Sequence, residues 1–118
     1  VLQHLAKNYQ LHILSNGYYE IQLRKMQSAG IHHFFGELIT NDIANARKPD
    51  AAIFRFAVQQ TNAVLSECIM VGDTYEADIV GAYSAGMDVV HFEPSGKINA
   101  ESVATHTIKS LVELLDII

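Results

Sequence analysis

Two acidic residues, Asp73 and Asp78, stand five positions apart in the run Val71-Gly72-Asp73-Thr74-Tyr75-Glu76-Ala77-Asp78. The apolar residues Cys68-Ile69-Met70-Val71 before them have the make-up of a short buried strand, which Gly72-Asp73 ends. A helical period follows, with Tyr75, Ile79, Ala82 and Tyr83 on one face. In open α/β sheets, ligands sit beyond the carboxyl ends of the strands. A carboxylate there can hold a hard cation such as Mg²⁺, which takes oxygen ligands and shares them with phosphate. The plainer alternative is local: Asp73 caps the helix, while Glu76 and Asp78 complement its positive end. Two other loops add weight to the first reading. Ser15-Asn16-Gly17 offers a hydroxyl, an amide and backbone N–H groups at a helix start, where anions are attracted. A simple N-cap by Ser15 or Asn16 satisfies the same local pattern. Lys48, ahead of Pro49-Asp50, puts a fixed cation before another helix, although a lone lysine is most often a solvated surface residue. Hydroxyl, lysine and paired acids on strand-end loops suit phosphoryl transfer through a metal-bound phosphate.

The elements that must position these groups alternate in type. Residues 1–9 carry Leu2, Leu5 and Ala6 as the apolar side of a helix, and Leu11-His12-Ile13-Leu14 is a strand. The next helix repeats Tyr19, Leu23 and Met26 and stops at Gly30. His32 to Gly36 is a connector, and Glu37-Leu38-Ile39-Thr40 a second strand. Asn41 to Lys48 is polar and irregular, and Pro49 suits the first turn of a helix bearing Ile53, Phe56 and Ala57. After the acidic motif, Gly86 ends a helix and Asp88-Val89-Val90-His91-Phe92 is a fourth strand. Glu93-Pro94-Ser95-Gly96 is a turn, Thr105 to Ile108 a short edge strand, and Leu111 to Ile118 a closing helix. Strands alternating with helices specify βαβ units and a mostly parallel sheet.

With 118 residues the chain is a single domain, long enough to bury a core. A net charge of −5 excludes nucleic acid or an anionic membrane held by bulk electrostatics. The single cysteine, Cys68, has no partner for an internal disulfide, which makes a reducing cytoplasm the simplest compartment. Its place in an apolar strand gives it the reading of a small buried hydrophobe. No apolar run reaches the roughly 18 residues of a membrane-spanning helix.

Three motifs in series carry a family resemblance. Ile13-Leu14-Ser15-Asn16-Gly17, then Arg47-Lys48-Pro49-Asp50 with Ile53-Phe54, then Val71-Gly72-Asp73-Thr74 with Asp78, Gly81-Ala82 and Ala85-Gly86, resemble the haloacid dehalogenase-like hydrolase superfamily. Order and spacing match over nearly the whole chain, most closely the phosphatase and nucleotidase-like branch. The resemblance implies a Rossmann-like three-layer αβα sandwich. It also implies that Ser15 bonds the transferring phosphoryl group, with the backbone of Asn16 and Gly17 assisting. Lys48 holds the nucleophilic carboxylate and balances phosphate charge. Asp73 ligates Mg²⁺, and Asp78 supports the metal directly or through water. The substrate is then a small phosphorylated molecule.

One family element is absent. The attacking aspartate and the general acid–base belong to an Asp-x-Asp pair at the end of an upstream strand, and these 118 residues contain no Asp-x-Asp. Together with an opening already in helical stride, this makes residues 1–118 the C-terminal part of a core domain, lacking the nucleophile strand and the cap, and inactive by itself. In the family that strand lies between the strand ending at Ser15 and the one ending at Asp73. Without it, the sheet is expected to close up or to borrow a strand from another copy, in a homo-oligomer or strand-swapped dimer. Packing is the favoured role for Tyr18 and Tyr19, and Phe34, Phe35, Phe54 and Phe56 are core candidates. His12 and His91 are strand residues of core or interface type; His32-His33 form no metal pair of obvious geometry. Two rival readings stand beside the hydrolase. One is a non-catalytic module that keeps the phosphate and metal loops for binding. The other is a receiver-type signalling domain with Asp73 as phospho-acceptor, which requires acids near the first strand where Ser15-Asn16-Gly17 stands.

Overall fold

A computed structural model describes residues 1–118, and every strand in it pairs in parallel. The elements run α1 (Leu2–Leu5), β1 (Ile13–Leu14), α2 (Tyr19–Ser28), β2 (Leu38–Ile39), α3 (Asn41–Ala44), α4 (Ala51–Gln60), β3 (Ile69–Gly72), a π-helical turn (Tyr75–Val80), α5 (Gly81–Ser84), β4 (Asp88–Phe92), β5 (His106–Ile108) and α6 (Leu114–Ile117). Single 3₁₀ turns lie at His32–Phe34, Leu65–Glu67 and Leu111–Glu113. The predicted alternation of strands and helices is present, with the short helix α3 in addition.

The sheet is split. β1 pairs only with β2, while β3, β4 and β5 form a second sheet in that order. Adjacent β4 residues point to opposite faces, as the two-residue period of a strand requires. Val89 packs with Ile53, Phe54, Ile79 and Ala82 on one side, and Val90 packs with Leu5, Ile108 and Leu114 on the other. Helices α4 and α5 thus cover one face and α1 and α6 the other, giving three layers. Ile39 of β2 belongs to the first cluster, so α4 spans both sheets from one side.

This arrangement corrects the closed-up sheet. β1 and β3 do not pair; a cavity of about 480 Å³ separates them, lined by Leu11, Leu14, Ile69, Met70 and Val71 among others. The reason lies in α4. Its fully buried Ile53 and Phe54 touch the same cluster as Ile39 from one sheet and Val89 from the other, which fixes the separation. The buried strand expected at Cys68 to Val71 is therefore half-open: Ile69 is 41% exposed, and Cys68 lies outside β3 with Sγ 3.3 Å from the Val64 carbonyl.

Other differences are local. Asn41 to Lys48 contains the short helix α3, and Pro49 precedes its helix because Asp50 is the N-cap, accepting from the Ala52 N–H at 3.0 Å. Tyr83 is 54% exposed, off the face of Ile79 and Ala82, because the wide turn at Tyr75–Val80 shifts the register before α5 begins. Tyr18 is 66% exposed and stands at the N-cap of α2, outside both apolar clusters, which corrects its reading as a packing residue. Of the phenylalanines, Phe54 is fully buried and Phe34, Phe35 and Phe56 are half-buried. Gly81 lies where α5 meets α4: a Cβ there would stand 2.8 Å from Phe54 Cε2 and 3.0 Å from Pro49 Cα.

Two outcomes follow. Gly81→Ala forces a packed ring and a main chain apart, and urea unfolding should show a loss of about 1–3 kcal/mol. His12 Nδ1 accepts the Glu37 N–H at 3.0 Å, and burial pushes its pKa down against the opposing pull of Glu37. Below the histidine's ordinary pKa of about 6.5 the unfolded chain then binds more protons than the folded one. Stability should decline as pH falls from there through the lowered folded value, and His12→Gln should flatten that part of a urea-midpoint profile.

Candidate active site

Leu14 at the end of β1 and Gly72 at the end of β3 lead into the Ser15 and Asp73 loops, and the Lys48 loop lies between α3 and α4. The ammonium of Lys48 joins all three. It donates to the Leu14 carbonyl at 3.3 Å and forms a short ion pair with Asp78 Oδ1. Both side chains are buried, at 11% and 6% exposure, so neither charge is well solvated. The other Asp78 oxygen accepts the Thr74 N–H at 3.1 Å. Asp78 can approach this closely because residue 72 is glycine: a Cβ at Gly72 would overlap the Asp78 carboxyl group.

Asp73 sits differently. It is exposed, and its recorded partner is the Thr74 hydroxyl at 3.3 Å. It does not cap the following turn, whose N-cap is Thr74. Ser15 and Asn16 do not cap α2 either; that helix starts after Tyr18, and Ser15 Oγ accepts the Gly17 N–H at 3.1 Å. The Asn16 amide pairs with the backbone of Lys48, at 2.8 Å to its N–H and 3.1 Å to its carbonyl. One hydrogen-bonded chain therefore runs from Asn16 through Lys48, Asp78 and Thr74 to Asp73.

The donors present match a particular kind of cation. No third His, Cys, Asp or Glu joins Asp73 and Asp78 in a metal-binding cluster. Asp78 has both oxygens committed, which leaves Asp73 as the available carboxylate. Mg²⁺ keeps several waters and binds through one or two carboxylates plus substrate phosphate, so this open set suits it better than a closed cage would.

Sequence reasoning missed two residues. Asp42 accepts the Tyr19 N–H at 3.2 Å and the Thr40 hydroxyl at 2.5 Å, so it caps α2 from a distance; the Thr40 bond leads in holding its pKa low. Asn41 donates to the Asn16 carbonyl at 2.8 Å. Both stand in a stretch with no helical period in its sequence, which forms the short helix α3, and the pairing of β1 with β2 brings them to the site.

Comparison with known proteins bears on the family and the fold. The family model for haloacid dehalogenase-like hydrolases matches residues 1–92. Glyceraldehyde 3-phosphate phosphatase of Methanothermobacter thermautotrophicus is 38% identical over 85 residues, covering 72% of this chain and 38% of that protein. The solved HAD phosphatase from Thermococcus onnurineus superposes with a TM-score of 0.90 at 32% identity, covering 98% of this chain and 54% of that one. The magnesium-bound HAD-hydrolase YfnB from Bacillus subtilis also superposes at 0.90, with 26% identity and coverage of 98% and 51%. The chain spans about half the length, or less, of the curated relatives it matches.

Removing one member of a buried ion pair leaves an uncompensated charge. Lys48→Met and Asp78→Leu should each cost about 3–5 kcal/mol in urea unfolding, and the double variant well under their sum.

Proposed function

The chain belongs to the haloacid dehalogenase-like hydrolase family, and from that membership we propose that it forms the lysine- and metal-bearing part of a Mg²⁺-dependent phosphomonoester hydrolase. The observation that carries the reading is the Lys48 ammonium, held between the Leu14 carbonyl and Asp78. An ammonium has three donors, and two are used here. The third is available to a carboxylate or phosphate oxygen at the carboxyl end of the gap between β1 and β3.

Roles follow from position. The Ser15 hydroxyl and the backbone of Asn16 and Gly17 bind the phosphoryl oxygens. Lys48 balances the charge that accumulates on them and on the attacking group. Asp73 holds Mg²⁺, which when bound neutralises phosphate charge; Asp78 acts through Lys48 and outer waters. The nucleophile is a carboxylate supplied from outside residues 1–118, on a strand that enters the gap. Its oxygen attacks phosphorus, the ester oxygen leaves, and water then hydrolyses the aspartyl-phosphate. The substrate class is a small phosphorylated molecule, in keeping with the glyceraldehyde 3-phosphate phosphatase relative. The single thiol, Cys68, supports a reducing cytoplasm as the compartment. No helix is long and apolar enough to cross a membrane.

A specific observation favours a second reading: the chain itself has no Asp-x-Asp, so the same loops could serve as a phosphate- or metal-binding module. An assay on p-nitrophenyl phosphate separates the two. Residues 1–118 alone should be inactive, with the gap open to self-association in size-exclusion chromatography. The longer protein carrying an Asp-x-Asp should be active with Mg²⁺ and silent after chelation. Asp73→Asn should lower its kcat by at least about 10²-fold, as loss of a key electrostatic group does. An intact longer protein inert across a broad ester panel would leave the binding module as the reading.

A further inference from the structure

We infer that Asn16 works as a positioning residue for Lys48, its side-chain amide clamping the lysine's main chain; the kinetic consequence of this, though not the clamp itself, rests on the hydrolase reading above. Asn16 Oδ1 accepts the Lys48 N–H at 2.8 Å while Nδ2 donates to the Lys48 carbonyl at 3.1 Å. Two bonds from one planar amide fix both the position and the tilt of the chain at that residue. Neither polar group of the Lys48 backbone has a main-chain partner; the nearest main-chain bond in the segment is Asp50 N–H to the Arg47 carbonyl. The segment between Asn45, at φ 53°, and the N-cap Asp50 is thus held at Lys48 by Asn16.

Asn16 is itself held. Its own carbonyl accepts from Asn41 Nδ2 at 2.8 Å, and the Asn41 amide is otherwise buried with Oδ1 unpaired. The clamp therefore runs from the end of β2 to the end of β1 and on to the lysine loop. Lysine has a long stem of rotatable bonds, and its head reaches Leu14 and Asp78 only if the stem starts from the right place. The Asn16 acceptor Oδ1 also faces Lys48, which leaves the side chain a single remaining N–H. A direct phosphate contact is therefore the lesser part of what this residue does.

Two measurements on the whole protein test the clamp. Amide hydrogen exchange at Lys48 should speed up about tenfold or more in Asn16→Ala, the effect of one lost hydrogen bond. Asn16→Asp keeps the acceptor for that N–H and should leave its exchange within about threefold of wild type, and it is the variant to read should Asn16→Ala fail to fold. In turnover, Asn16→Ala should lower kcat by about 10²-fold with KM little changed, as a displacement of roughly 1 Å does. In a Lys48→Ala background the same change should cost no more than about twofold. Equal losses in both backgrounds would assign the Asn16 side chain to phosphate and overturn the clamp. Unchanged Lys48 exchange in Asn16→Ala would overturn it as well, whatever the activity. An inactive wild-type protein would remove the hydrolase reading alone, and the exchange measurement would still decide.

Discussion

A lysine head group removed from water must find anions and carbonyls close by, since the desolvation of a buried ammonium amounts to several kcal/mol. Lys48 meets that demand with one contact on each side of a divided sheet, the Leu14 carbonyl on the β1 side and Asp78 on the β3 side. The interaction is therefore both a local satisfaction of charge and a tie across the gap. Gly72 allows it by leaving room for Asp78, and the π-helical turn at Tyr75–Val80 delivers Asp78 into that room. Beneath the tie, α4 sets the spacing with Ile53 and Phe54. Chemistry and architecture meet in one ion pair: without it, the loops after β1 and β3 would be joined only through the apolar layer.

The open gap shapes the energetics as well. A strand in the middle of a sheet has partners on both edges, whereas β1 and β3 each keep one unpaired edge beside an apolar cavity. Ile69 at 41% exposure marks the cost on β3, and only fifteen of 118 residues are buried. The buried clusters nevertheless form on both faces of β4, so the three-layer plan stands even though β1 and β3 do not pair.

Much of this was legible in the chain itself. The alternation of apolar runs with helical periods specifies the parallel order, and Asp88 to Phe92 reads as the strand it forms. Ser15, Lys48, Asp73 and Asp78 stand out by type and by their place after strands, and the structure brings Lys48 and Asp78 into contact. What sequence could not show is who bonds to whom over long separations. Asn16 resembles an N-cap and instead holds residue 48. Tyr18 looks like a packing residue, yet it stands exposed at the N-cap of α2. The width of the gap depends on α4 touching both sheets, a relation between elements that no local pattern encodes.

Asp42 gives one feature a reach beyond the site. Helix α2 has no cap of its own, and its first N–H is closed by a carboxylate 23 residues later in the chain. That bond exists only once β2 lies beside β1 and α3 has formed. The start of α2 thus depends on a contact between segments 23 residues apart, while the Ser15–Gly17 loop before it keeps a local bond from the Gly17 N–H to Ser15 Oγ. Such a contact carries a loop-closure entropy that must be met before it stabilises anything, so the start of α2 draws its order from the sheet and not from its own sequence.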